Sequence, residues 1–257
     1  MTGERTQAGA LAPGLLTAEK MLAWRRSIGA GYRSRAPEGA VLTHQGSLFR
    51  GLAAGFGSRS QTGLFADLAV LPKTSGRVAV AGNFGIGGPA TAVVVEELAA
   101  VGVSRVVAVD LAASLSPEVK SGTVFLVADA ICADGTSPHY QPGAAVVEVD
   151  ADLSGKVAAA LARREMALTA GRVWSTDAAY RETAAEIGRY AAQGALLVDM
   201  ETAAFLACAR AVGLQAASVL VVADTLFEDE WRPPPDAKRL QQQLRRAAEA
   251  ARDALLE

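Results

Sequence analysis

Short, continuous apolar runs alternate along the middle of the chain with helix-forming stretches. Arg77-Val-Ala-Val-Ala81, Arg105-Val-Val-Ala-Val109 and Ser218-Val-Leu-Val-Val-Ala223 have no polar alternation, as expected of strands covered on both faces. Further strands are predicted at 40–43, 64–71, 122–130, 144–149, 166–173 and 196–199. Helices are predicted at 18–32, capped by Thr17 with Glu19 in the first turn, and at 48–56, 89–101, 152–164, 178–192, 202–212 and 236–256. Pro89 suits the first helical position. Buried strands alternating with helices predict an α/β fold with a mostly parallel central sheet. No linker or repeat divides residues 1–257, which read as a single domain, with a loose Gly/Ala/Thr-rich stretch over 1–16.

Composition narrows the functions available. The 257 residues are 51% hydrophobic, enough for a sizeable core, and carry a net charge of only −2. There is no basic field for nucleic acid, and aromatics at 5% offer few stacking platforms. No run approaches the ~20 apolar residues of a membrane span, and no signal peptide is apparent. Cys132 and Cys208 are distant and in apolar contexts, so both are read as reduced thiols in a cytoplasmic protein. The two histidines, His44 and His139, have no ligand cluster beside them, so no metal or cofactor is expected.

Candidate chemistry collects where strands end. In Leu197-Val-Asp-Met-Glu-Thr-Ala-Ala-Phe205 an apolar run reaches Glu201 and a helix leaves it. That edge of an open α/β sheet is where ligands bind, and a carboxylate there can accept both hydroxyls of a ribose diol. An acid favoured by the helix dipole is the alternative. Asp110 and Asp224 end two other strands, so both are expected at the same edge, as a general acid or base, or as caps. The glycines from Gly82 to Gly88 form either a ligand loop or a tight turn, and do not fit the dinucleotide fingerprint. His139 and Tyr140 lie in a polar loop that could reach a ligand, a neighbouring subunit, or only solvent. Arg50 and Arg59 flank glycine-containing loops, as oxyanion ligands or surface charges. No Gly-x-Ser-x-Gly elbow, P-loop lysine or Cys–His pair occurs.

These segments together resemble the nucleoside phosphorylase family that includes the purine nucleoside and uridine phosphorylases. The resemblance rests on Gly85-Ile-Gly-Gly-Pro-Ala90 with Glu96-Glu97-Leu98, then Ser114-Leu-x-Pro117, Asp134-Gly-Thr-Ser137, Val198-Asp-Met-Glu201 and Val222-Ala-Asp224-Thr, in family order. It implies a three-layer α/β sandwich whose central sheet is mixed, mostly parallel and partly closed into a barrel. It also implies cleavage of the N-glycosidic bond of a nucleoside by phosphate or water, in a homodimer or a hexamer. Met200 and Glu201 would hold the ribose, with Phe84 and Gly85 in the substrate-binding loop, and Asp224 would act on the base. Gly46-Ser-Leu-Phe-Arg50 keeps the spacing of the family's phosphate loop without its Asp-Pro, and Arg59 resembles an arginine lent across the dimer interface.

The departures concern phosphate. Where the family carries Arg-x-Gly-Thr-x-Gly, this chain has Ala108-Val-Asp-Leu-Ala-Ala113, so a cation and a hydroxyl are lost and a carboxylate, Asp110, is gained. Two such contacts at ~1.5–3 kcal/mol each would weaken phosphate binding on the order of 100-fold or more. Three readings follow. The first is a divergent nucleoside-cleaving enzyme with phosphate as an optional co-substrate, hydrolytic if phosphate binds too weakly, with Asp110 then placing a water. The second is acid–base chemistry on a non-nucleoside in a biosynthetic pathway. The third is a non-catalytic ligand-binding protein.

Overall fold

The computed structural model describes residues 14–55, 60–61, 63–71, 74–227 and 230–257. Its strands are β1 (Gly39–Leu42), β2 (Ser60–Gln61), β3 (Asp67–Val70), β4 (Val78–Gly82), β5 (Arg105–Ser114), β6 (Val124–Ala133), β7 (Val146–Glu148), β8 (Leu168–Thr176), β9 (Ala195–Asp199), β10 (Gln215–Phe227) and β11 (Glu230–Arg232). The helices are α1 (Ala18–Ser27), α2 (Gly46–Gly55), α3 (Gly88–Val101), α4 (Ser137–Tyr140), α5 (Ala151–Arg163), α6 (Ala184–Ala191), α7 (Thr202–Ala211) and α8 (Ala237–Leu255).

All the strands join one mixed sheet. Parallel ladders join β4 to β1, β1 to β5, β5 to β10, and β6 to β8 and β8 to β9. Antiparallel ladders join β10 to β6 and β5 to β9, which closes β5, β10, β6, β8 and β9 into a ring. The remaining antiparallel strands extend the edges.

Period-two alternation divides the core between two helical layers. Val41, Val107, Val109, Val219 and Val221 share a cluster with Leu244 of α8, Val157 of α5 and Phe49 of α2. Leu42, Val106, Leu220 and Val222 share another with Val95 and Leu98 of α3 and Phe205 of α7. Residues 202–209 of α7 are buried on every side, as a helix without a polar face must be. Its alanines let α3 approach closely: a Cβ on Gly88 would meet Ala204 Cβ at 3.0 Å.

Three local differences from the sequence reading bear on the site. Asp110 and Asp224 lie inside their strands, not at their ends, because β5 and β10 continue together and pair as far as Ser114 and Thr225. Asp110 therefore projects from a ring strand. The helix predicted at 178–192 is divided into a 3-10 turn, Ala179–Arg181, and α6. Thr183 and Glu186 form a reciprocal capping box that restarts the helix. The first helix stops at Ser27, with Gly29 following at φ +80°. Most of the stretch expected to be loose, and Arg59, lie outside the described residues.

Candidate active site

Glu201 stands at the junction of β9 and α7, and its neighbour Asp199 performs the capping. Asp199 Oδ2 accepts from Thr202 N (3.1 Å) and from the Thr202 hydroxyl, and Oδ1 accepts from Ser175 Oγ (2.6 Å) and Glu201 N (3.3 Å). Burial pushes this carboxyl up even against those donors. Relieved of the cap, Glu201 faces a cavity of about 630 Å³, within the range of small-molecule sites. Its carboxylate accepts from Gly87 N at 2.7 Å and Met200 N at 3.3 Å. Gly87 has φ +89° and Gly85 φ +97°, a left-handed backbone that only glycine adopts cheaply, and this turn aims the Gly87 N–H at Glu201. Burial raises the Glu201 pKa to about 7; His44 and the Gly87 amide oppose the rise, while Asp199 and Asp110 add to it.

Opposite lies a pair that sequence reasoning missed. His44 follows β1, and its Nδ1 is 2.9 Å from Asp110 Oδ2. The His44 backbone N–H and the Thr43 hydroxyl donate to Asp110 Oδ1, at 2.8 and 3.3 Å. The two side chains are 4% and 8% exposed, a buried ion pair in the cavity wall. His44 Nε2 is 2.8 Å from Thr91 Oγ1, whose hydroxyl donates to Gly87 O at 2.9 Å. With the Thr91 hydroxyl donated to Gly87 O, Thr91 accepts from Nε2 and both ring nitrogens donate, the pattern of an imidazolium. Burial works against the charge, but Asp110, then Glu201 and Asp199, outweigh it and raise the pKa to about 9. Phe84 is buried edge-on against the imidazole, with centroids 4.8 Å apart.

The far end of the cavity holds Asp224, whose Oδ2 accepts from Trp231 Nε1 at 2.7 Å. Glu182 lines the same end, and burial, with Asp224 and Glu186 nearby, raises its pKa to about 7. Tyr180, Trp231 and Leu226 supply an aromatic and apolar rim suited to a planar ring.

The structure thus gathers Asp110, Asp224, Met200 and Glu201 around one cavity, with Phe84 behind the His44 ring, while Gly85 belongs to the turn that leads to Gly87. His139 and Tyr140 do not join them: His139 is exposed on α4, and the Tyr140 hydroxyl donates to Glu96 at 3.1 Å as that short helix packs on α7. Arg50 and Gly46 are also outside the wall. Arg50 is exposed on α2, and a Cβ on Gly46 would lie 3.1 Å from both Arg50 Nη1 and Asn83 Oδ1. His44 was detectable, since it follows the strand predicted at 40–43 at the ligand-binding edge of the sheet. Glu182 and Trp231 carried no motif, because each reaches the cavity from a peripheral segment outside the ring strands. Among the described residues, no group of His, Cys, Asp and Glu gathers as a metal site, and no helix is long and apolar enough to cross a membrane.

A mixed sheet closed into a ring, with five carboxyl groups lining a cavity beside the strand–helix junction, defines an α/β protein with a candidate small-molecule site. Residues 64–257 match the model of the phosphorylase superfamily, and the chain belongs to that family. It is 28% identical over 138 residues to guanosine phosphorylase of Halorubrum lacusprofundi, covering 54% of this chain and 57% of that one. It is 31% identical over 160 residues to the DeoD-type purine nucleoside phosphorylase of Bacillus cereus, covering 60% and 66%. The chain therefore spans about three fifths of the length of these relatives. Two solved structures share the fold: AMP nucleosidase of Bacteroides thetaiotaomicron (TM-score 0.74, 19% identity, 93% of this chain and 96% of that one) and uridine phosphorylase of Vibrio fischeri (TM-score 0.72, 19% identity, 97% and 98%).

Proposed function

We propose that this chain cleaves the N-glycosidic bond of an unphosphorylated nucleoside or modified nucleoside, with water as the acceptor. The observation that carries the proposal is Glu201: a neighbouring carboxylate caps the helix, and Glu201 is held by two backbone amides facing the cavity. Ionised, it accepts hydrogen bonds from the ribose hydroxyls. The base lies toward Tyr180, Trp231 and Asp224, the end that can receive a planar ring.

In the reaction, the C1′–N bond breaks with its electron pair passing to the base. Asp224 hydrogen-bonds to that base and relays a proton to its nitrogen, and Glu182, protonated up to about pH 7, supplies it. Water, placed by Asp110, adds its oxygen to C1′ and releases its proton to solvent, so free base and free sugar leave. Water is favoured over phosphate because the cavity wall carries five carboxyl groups and one imidazole, and Asp110 already neutralises that imidazole. The names of the guanosine and purine nucleoside phosphorylase relatives support a nucleoside substrate. A homodimer or hexamer fits the exposed Trp24, Ile28, Phe65 and Val93, and the free cysteines fit a cytoplasmic setting.

The test is a panel of purine and pyrimidine nucleosides incubated with and without phosphate, read by chromatography for free base and for sugar 1-phosphate. We expect base and reducing sugar in phosphate-free buffer. Strict dependence on phosphate would overturn the choice of acceptor, and failure to release base from any nucleoside would overturn the substrate class and favour a different acid–base reaction.

A further inference from the structure

We propose that the His44–Asp110 pair is an anion site occupied by the chain's own carboxylate, and that Asp110 thereby decides which acceptor the cavity admits. Three donors converge on that carboxylate: the His44 ring through Nδ1, the His44 backbone N–H, and the Thr43 hydroxyl. A cation, an amide and a hydroxyl around one buried point form the donor set that binds a free oxyanion. The site is built from behind, because Thr91 fixes Nε2 and Phe84 packs on the ring. It also opens forward, since His44 and Asp110 both line the cavity.

The surroundings explain why one anion fills it and a second does not. The groups facing His44 are Asp110 from β5 and, from the β9–α7 junction, Asp199 and Glu201, with neutral Thr91 contributed by α3. Farther along the wall are Glu182 and Asp224. No other basic side chain lines the cavity among the described residues. An inorganic oxyanion would have to displace Asp110 or sit beside it, close to Asp199 and Glu201. Removing the Asp110 carboxylate leaves the three donors facing an anion-sized gap. The role of Asp110 in excluding anions rests on the proposed reaction only for the word acceptor, because occupancy of the site can be read without turnover.

The experiment is calorimetric titration of the full-length protein with inorganic sulfate, which keeps its charge between pH 6 and 9, and then with phosphate. Wild type should show no saturable binding. Asp110→Ala should bind sulfate at least about tenfold more tightly, the effect of one charge-assisted hydrogen bond. The gain should disappear in the His44→Gln/Asp110→Ala double variant and weaken as rising pH discharges the imidazole. Equal sulfate affinity in wild type and Asp110→Ala, or a gain that survives loss of His44, overturns the proposal. Should Asp110→Ala fail to fold, the wild-type ring can be read directly. His139→Gln leaves His44 as the sole histidine, and its ¹⁵N shifts at pH 7 should report two N–H groups. A neutral ring at that pH overturns the proposal. A protein that binds sulfate as described yet cleaves no nucleoside refutes only the reaction. One that hydrolyses nucleosides and shows no such site refutes only the role given to His44 and Asp110.

Discussion

Replacing Glu201 by glutamine isolates the charge of the group assigned to the ribose. The substitution keeps length and shape, so an amide oxygen can still accept from Gly87 N, 2.7 Å away in the wild type. What disappears is the charge-assisted character of two hydrogen bonds to a diol. Bonds to a charged partner contribute ~1.5–3 kcal/mol against ~0.5–1.5 for neutral ones, so the difference over two bonds is about 2–3 kcal/mol. That predicts a fall in kcat/KM of ~30–150-fold on the best nucleoside of the panel. Stability should move the other way. Folding raises the Glu201 pKa from 4.5 to about 7, so the native state holds its proton to higher pH than the unfolded chain does. Stability from this group is present below pH 4.5 and lost as pH rises through about 7, so Glu201→Gln should be at least as stable as wild type at pH 8. Wild-type kcat/KM should fall as pH drops below about 7, where the carboxylate protonates, and the glutamine variant should lack that limb. Steady-state kinetics between pH 5.5 and 8.5 with urea melts at pH 8 measures all three. A loss smaller than threefold, or an unchanged acid limb, would refute a diol-gripping carboxylate.

Three further outcomes are expected. Ser175→Ala removes the donor to Asp199 Oδ1 and the acceptor for Ala203 N at 2.9 Å, both buried, and should cost about 1–3 kcal/mol in urea denaturation. Trp231→Phe deletes the bond to Asp224 while keeping most of an exposed ring, and should lower kcat by ~3–10-fold with stability unchanged within about 0.5 kcal/mol. His44→Gln tests linkage: the folded pKa is raised from 6.5 to about 9, so the stabilisation is full below pH 6.5 and lost through about pH 9. The stability gap between wild type and this variant should shrink by on the order of 3 kcal/mol between pH 6 and 9.5, and a gap constant with pH would contradict a buried imidazolium.

The buried runs at 77–81, 105–109 and 218–223 were legible as strands because continuous apolar sequence has few other uses, and the order of motifs carried the resemblance to the family. Polarity misled where strands continued. Asp110 and Asp224 read as strand ends, yet β5 and β10 run on because each finds a neighbour across the closed ring. That pairing is non-local and leaves no mark in the local pattern. Nothing near His44 in the sequence marks its partner, which is a carboxylate 66 residues away. Glu201 was legible as a ligand residue or a cap; the side-chain capping falls to Asp199, two positions earlier, and Glu201 faces the cavity.

The charge of the cavity links the acceptor to the chemistry. Five carboxyl groups around one small space would repel each other if all were ionised, and the rises at Glu182, Asp199 and Glu201 relieve part of that repulsion by protonation. The cavity is left rich in acceptors with a few exchangeable protons, and its one cation among the described residues already has a counter-ion. Such a space disfavours phosphate, whether as acceptor or as part of a nucleotide. It favours a neutral polyol whose hydroxyls donate. It favours still more a sugar that is becoming a cation, because an oxocarbenium-like centre gains attraction from every ionised carboxylate while the neutral substrate gains little. In the proposed reaction, the arrangement that weakens binding of a phosphate nucleophile would also lower the barrier to breaking the glycosidic bond, so that a weak nucleophile such as water would suffice.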